Sequence, residues 1–299
     1  MKRPIINVRF YETYHFAFAI KNILQDQFEY IRSLNDFYGD DSYLRFSEPY
    51  QPYSAFHQFL EFILEELLVD DTEKFDLKRW RNLAERFKDI PSLGDEFKVP
   101  TLPIEDALRY HGFEFESFVD WLQSQEVTVA DADEDHIYDY LNELRLCGPY
   151  EELLYQSVKE AFFLLFGNRD VLLLFNEMIA RQMCNAQMDE LTDEHAEYFA
   201  QSGVLKRAYM PEWVRRAVFY RDRGMCVSCK VDLSGILNIW GESHFDHIVP
   251  LASGGLNDVT NIQLLCASCN LKKGDGSIFT TSVYEDWYPL PIDKPDTGS

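Results

Sequence analysis

The sequence predicts a mainly α protein with a small α+β module: a helical N-terminal domain followed by a compact domain built on four cysteines. Three observations carry this expectation. Apolar residues recur at helical spacing through most of the chain ahead of residue 203. Two C-x-x-C pairs, "CVSC" at 226–229 and "CASC" at 266–269, bracket a short stretch with strand and turn signals. The charge also changes sign along the chain. Residues 205–275 hold nine Lys and Arg against seven Asp and Glu, a local +2, and the whole chain carries −23, which leaves −25 on the remainder.

The elements follow in order. At 299 residues the chain is long enough for two domains, each with its own core. The segment from Tyr14 to Phe37 reads as helix. "SAFHQFLEFILEELLVDD" opens on Ser54, a residue type that accepts from a free first-turn N–H, and repeats Phe56, Leu60, Ile63, Leu64 and Leu67 on one face. Glu105–Ser124 and Tyr150–Met183 behave the same way. "DIPSLGDEFKVPTLPIED" holds three prolines and a glycine, which marks a loop or a subdomain joint near 90–104. The acidic run "DADEDH" (131–136) has the groups to hold a cation, but a solvated helix entry is the expected reading. There is no internal repeat. Composition turns basic around Gln201-Ser202-Gly203, so the expected domains are 1–203 and 204–280, followed by an acidic, proline-containing tail, 281–299, extended or disordered.

Several function classes are excluded or confined. Met1-Lys2-Arg3-Pro4 leads into mixed sequence without an apolar signal segment. The most apolar stretch, from Ala161, is cut at Gly167-Asn168-Arg169-Asp170, and each half falls short of the roughly 20 residues that span a bilayer. A cytoplasmic protein without membrane association is expected. So acidic a chain is repelled by nucleic acid over most of its surface, which confines phosphate contacts to 205–275 or to a partner. The aromatics of the N-terminal region lack the basic groove that accompanies base stacking. They read as core and protein contact surface, and the acidic region as a place for a protein partner or self-association.

The cysteines point to metal. In a chain without a secretory signal, C-x-x-C spacing favours a metal over disulfides. Cys226, Cys229, Cys266 and Cys269 supply the four sulfurs of a closed tetrahedral structural zinc site, and the two-residue spacing suits a knuckle whose backbone amides also point at the sulfurs. The alternative is that one pair is a redox motif. Cys147 and Cys184 are isolated, and His15, His57, His111, His136 and His195 lack a spacing partner; structural roles are expected for all seven.

Between and just after the pairs lie Asp246, His247, Asn261 and Asn270. The order C-x-x-C, D-H-I-x-P, G-G, N-I-x-x-L-C-x-x-C-N-x-x-K, spread over Pro211 to Asp275, resembles the HNH nucleases. These are the zinc-containing branch of the His-Me finger (ββα-metal) endonucleases. The resemblance covers under a quarter of the chain. It implies a ββα-metal domain and a metal-dependent endonuclease acting on nucleic acid, with DNA the expected substrate. Phosphodiester hydrolysis needs a deprotonated water, a cation on the phosphate and stabilisation of the departing 3′-oxygen. Histidine, with an unperturbed pKa of about 6.5, can accept that proton. By the resemblance His247 is the general base, Asp246 and Asn270 hold Mg²⁺ or Mn²⁺, and Asn261 braces the loop behind the base. Asn270 stands where the family often has a histidine, and its harder amide oxygen favours Mg²⁺ or Mn²⁺ over Zn²⁺ or Ni²⁺.

Lys273 matches the family's trailing lysine, read either as a phosphate contact or as a solvated helix lysine. Arg215, Arg216, Arg221 and Arg223, on and beside the helix leading into the first cysteine pair, are candidates for backbone contacts, against a solvated basic face. His244 is expected to be a surface histidine. Neighbours on a regular strand point to opposite faces, so Asp246 and His247 share a site only if the backbone leaves strand geometry or the site lies at the strand edge.

Two further readings compete. One is a non-catalytic, zinc-stabilised binding or scaffold protein; loss of Asp246, His247 or Asn270 would be its mark, and none is lost. The other has the acidic region mimic nucleic acid and occupy the nuclease groove. Restriction or anti-phage nucleases are an analogy only.

Overall fold

The apolar periodicity of the sequence becomes twelve α-helices, and three short 3₁₀ segments and two two-stranded antiparallel sheets complete the regular structure among the described residues of the computed structural model. These are residues 5–87, 89, 99–235 and 243–285. Residues 90–98 of the expected joint and 286–299 of the expected tail lie outside them. The chain divides into two compact units, Met1–Phe37 with Ala55–Leu165, and Tyr38–Ser54 with Phe166–Ser299.

The first unit is helical. α1 (Thr13–Gln25), α2 (Ile31–Tyr38), α3 (Ala55–Glu73) and α4 (Leu77–Phe87) are followed by α5 (Pro103–His111), α6 (Phe118–Ser124), α7 (Glu134–Leu144) and α8 (Gly148–Leu165). α3 packs against α1, α5, α7 and α8. It buries Phe56, Leu60, Ile63 and Leu64 as the periodicity demands, with Leu68 in place of Leu67. Each of the other long helical segments is split. Tyr14–Phe37 breaks after Gln25, and Glu105–Ser124 breaks at Gly112, whose φ of 76° lies in the left-handed region that favours glycine. Tyr150–Met183 breaks before Asn168, whose side chain accepts from Val171 N at 3.3 Å and starts the next helix. The acidic run is a helix entry: Asp133 caps α7, accepting from His136 N at 3.3 Å, with His136 Nδ1 2.5 Å from its Oδ1.

The second unit holds α9 (Arg169–Met183), α10 (Asp193–Ala196), a hairpin of β1 (Phe199–Gln201) and β2 (Val204–Leu205), and α11 (Glu212–Arg221). β3 (Ser243–His247), β4 (Ile262–Cys266) and α12 (Ala267–Lys273) follow. β3 and β4 pair antiparallel with Asp246 opposite Gln263 and His247 opposite Ile262, and α12 packs on both strands, giving a ββα unit. Its core gathers Val214 and Val218 of α11 with Ile262 and Leu264 of β4, all fully buried, and Tyr50 from the early segment. Each such aliphatic contributes about 1.5–3 kcal/mol on burial. This unit begins well before the composition shift at Gln201-Ser202-Gly203, because α9 packs on the short 3₁₀ turn Val259–Asn261.

The C-terminal residues 279–283 run extended across the unit. Phe279 N donates to Ile248 O at 3.2 Å, Thr281 Oγ1 to Val227 O at 2.6 Å, and Arg169 Nη2 to Val283 O at 2.7 Å. Among the described residues, no helix is long and apolar enough to cross a membrane.

Candidate active site

His247 is the last residue of β3, and there the ladder gives way to a loop. Ile248 N still donates to Asn261 O at 2.6 Å, but Val249 N donates to the Asn261 side chain at 2.8 Å. At this strand end Asp246 and His247 line one cleft of about 260 Å³, together with Arg207, Pro250, Lys273 and Asp275. The requirement that neighbouring residues share a site is met by the position of the pair where the strand stops.

Asn261 is fully buried and ties the loop to itself. Its Nδ2 donates to Val249 O and Leu256 O, both at 2.9 Å, while its Oδ1 takes the Val249 N–H. Only an amide offers one acceptor and two donors in that plane; an aspartate there would leave both carbonyls unpaired. The Gly254-Gly255 pair is required by the same loop. A Cβ on Gly255 would lie 2.0 Å from Val249 O, and Gly254, at φ 79°, passes close to the Ala180 carbonyl.

His247 is only 4% exposed. Its Nε2 lies 3.4 Å from Asn257 Oδ1, and Asn257 Nδ2 donates to Lys206 O at 2.8 Å, which fixes which way the amide faces. The amide oxygen can only accept, so the imidazole proton sits on Nε2 and Nδ1 keeps its lone pair. Burial foremost, and then the nearby Arg207 charge, push the His247 pKa down to about 4 against the opposing pull of Asp246. The ring is neutral at neutral pH.

Lys273 is buried at 8% exposure, and its contacts are internal. Its Nζ donates to His247 O at 2.8 Å and lies 2.8 Å from Asp246 Oδ2, an ion pair not aligned as a hydrogen bond. It therefore locks α12 to the end of β3. Asn270 lies half-buried one turn earlier on α12 and is not among the residues lining the cleft. His244 is half-buried on β3, opposite Leu265.

The arginines divide. Arg215 and Arg216 are exposed on α11 and line a groove of about 250 Å³ with Phe219, Tyr220 and Phe245. Arg223 donates to Glu285 O at 2.8 Å and so meets the C-terminal stretch. Arg221 corrects the expectation of a solvent-facing basic side chain: it is 1% exposed. Its guanidinium grips both Asp222 oxygens at 2.8–2.9 Å and donates to Ile262 O at 2.6 Å, which ties α11 to β4 instead of to a ligand. Asp222 in turn accepts from Leu264 N at 2.9 Å. Two residues escaped the sequence reading: Arg207, which lines the cleft and belongs to no motif, and Asn257, a buried polar loop residue behind the His247 ring.

The four cysteine sulfurs lie within 4.8 Å of one another, with Cys229 and Cys266 3.7 Å apart. The Val231 and Cys269 amides point at the sulfurs of Cys229 and Cys266, as the knuckle spacing demands. Burial and the neighbouring thiols push Cys229 up to about 12. Cys266 is also raised by burial, but Ser268 and the neighbouring donors outweigh this and hold it at about 6. The donor set suits zinc in kind and number and leaves no coordination position open for chemistry.

Residues 226–276 match the family model described as HNH endonuclease. The C-terminal part of the chain carries an HNH endonuclease domain. This domain spans both cysteine pairs, Asp246-His247 and Lys273, while Arg207, α9 and α11 lie outside the match. Members of the family are nucleases. No curated protein and no solved structure matches the chain.

Proposed function

We propose that the protein is a metal-dependent HNH endonuclease that hydrolyses phosphodiester bonds of DNA, with His247 as the general base. The observation that carries this reading is the strand-end cleft, where Asp246 and a neutral His247 converge within the HNH domain. His247 Nδ1 accepts the proton of the attacking water, while Asn257 holds the ring through Nε2. Asn261 acts one step back: it fixes the loop that follows the base and touches no substrate. Asp246, with Asn270 on α12, would hold Mg²⁺ or Mn²⁺, which when bound supplies positive charge to the phosphate and the departing 3′-oxygen. A carboxylate and an amide are hard oxygen donors and suit these ions. Of the two, Asp246 is the ligand that the cleft geometry supports. The exposed Arg215 and Arg216 are suited to sequence-independent phosphate contacts. The acidic helical region serves regulation or partner binding on this reading, and a restriction or anti-phage role remains an analogy.

The test is the purified full chain incubated with duplex DNA, single-stranded DNA and RNA in Mg²⁺, Mn²⁺ or chelator. Cleavage of DNA that requires the added ion is expected. Intact substrates under every condition would sink the proposal and leave a zinc-stabilised binding protein.

A further inference from the structure

The cleft around His247 is not built by the HNH segment alone. One wall comes from the end of β2 and the chain just after it, where Leu205 and Arg207 line the cleft with Asp246 and His247. The backbone leading into Arg207 is held from several sides. Phe199 and Leu205 pair across the hairpin and are both buried. Lys206 N donates to Tyr198 O at 2.8 Å, Lys206 Nζ to Glu197 O at 2.7 Å, and Lys206 O accepts from Asn257 Nδ2 at 2.8 Å. The amide that holds the His247 ring thus also holds the residue before Arg207.

The Arg207 side chain is exposed and, among the described residues, donates no hydrogen bond and makes no ion pair. The other cation lining this cleft, Lys273, is already engaged, Arg215 and Arg216 line a separate groove, and Arg221 and Arg223 are held by internal partners. Lys273 is bound to Asp246 and His247 O, Arg221 to Asp222, and Arg223 meets Glu285 O. The cleft also presents the carboxylates of Asp246 and Asp275, so an anion entering it needs a cation to meet it. A guanidinium offers two parallel N–H donors that match two non-bridging oxygens of a phosphodiester, which an ammonium cannot do.

We propose that Arg207, from outside the HNH match, grips the scissile phosphodiester opposite His247, and that the hairpin β1–β2 is therefore part of the active site. This rests on reading the cleft as the place of hydrolysis, and the two can fail separately.

The experiment compares full-length wild type, Arg207→Ala and Arg207→Lys, each with its zinc content and circular dichroism measured. Cleavage of a duplex oligonucleotide is followed, and binding of the same duplex is titrated against salt in a His247→Ala background. Arg207→Ala is expected to lower kcat/KM by about a hundredfold and the slope of log affinity on log salt by about one. Arg207→Lys is expected to keep the slope but recover only part of the rate, and it stands in for the alanine variant if that one misfolds. Unchanged salt slopes and rates overturn the proposal while leaving the nuclease reading intact. A reduced slope in a protein that cuts nothing supports the phosphate contact and defeats the hydrolytic reading. Absence of any DNA binding overturns both.

Discussion

His57 is stacked on Phe162 with ring centroids 3.7 Å apart, and burial pushes its pKa down to about 4. In the unfolded chain the same ring takes a proton near the ordinary histidine value of 6.5. The unfolded state therefore binds the proton first as pH falls. The stability that the neutral ring contributes is fully present above 6.5 and is lost progressively down to about 4. The loss is on the order of 3 kcal/mol. His57→Phe should remove it: in urea unfolding, the variant should gain on the wild type by that order as pH is lowered through this window, and a difference that does not change with pH would refute the burial assignment. At this scale the sequence was legible where a residue's role depends on its chain neighbours. The cysteines stand out by spacing, and Asp246 and His247 by the resemblance of the surrounding order to the HNH nucleases. Asn257 and Arg207 do not: Asn257 takes its place from a hydrogen bond to Lys206, 51 positions away, and Arg207 lines a cleft assembled from segments distant in sequence.

Among the elements, the Gly254-Gly255 loop makes the sharpest demand. A methyl group on Gly255 would meet backbone oxygens of Val249 and Pro250, which have no flexible end to move. Gly276 has open space around the same position. Gly255→Ala should therefore cost several kcal/mol, in the range of strained-backbone and overpacking changes, and disturb the cleft, while Gly276→Ala stays within about 0.5 kcal/mol. Thermal melts of the two variants decide this; equal melting temperatures would contradict the close approach. Helix breaks were partly legible. Gly112 and Asn168 are breaker and cap types, whereas the break after Gln25 falls in "QDQF" without such a signal. Arg221 was misread because a charge on an amphipathic helix looks alike whether it meets water or a buried carboxylate. Its partner is the adjacent Asp222, and only the packing of α11 on β4 buries them together.

For the molecule as a whole, the HNH domain is one part of a larger compact unit. Tyr50 sits in the domain's core and its N–H donates to Asn257 O at 2.8 Å. Asn176 of α9 donates to Thr260 Oγ1 at 3.3 Å, and Arg169 approaches Asp222 at 3.5 Å. A fragment beginning at residue 204 loses all of these contacts. With zinc supplied, it should remain without a dispersed amide spectrum, and a well-folded fragment would show that the earlier segments are dispensable. The charge reversal near residue 203 was visible in composition, but it reports surface chemistry. The contacts that join α9 and Tyr50 to the domain come from ordinary apolar and amide residues, which carry no local signature of a distant partner.

The measurement that bears most directly on the cleft is single-turnover cleavage of duplex DNA by wild type and His247→Ala, with equal zinc content and matching melting curves. With Mg²⁺ or Mn²⁺ the wild type should cut and the variant should be slower by about 10²–10⁴-fold, the range for loss of a positioned general base. Equal rates for the two proteins would contradict the assignment of His247 and, with it, the reading of this cleft as the site of hydrolysis.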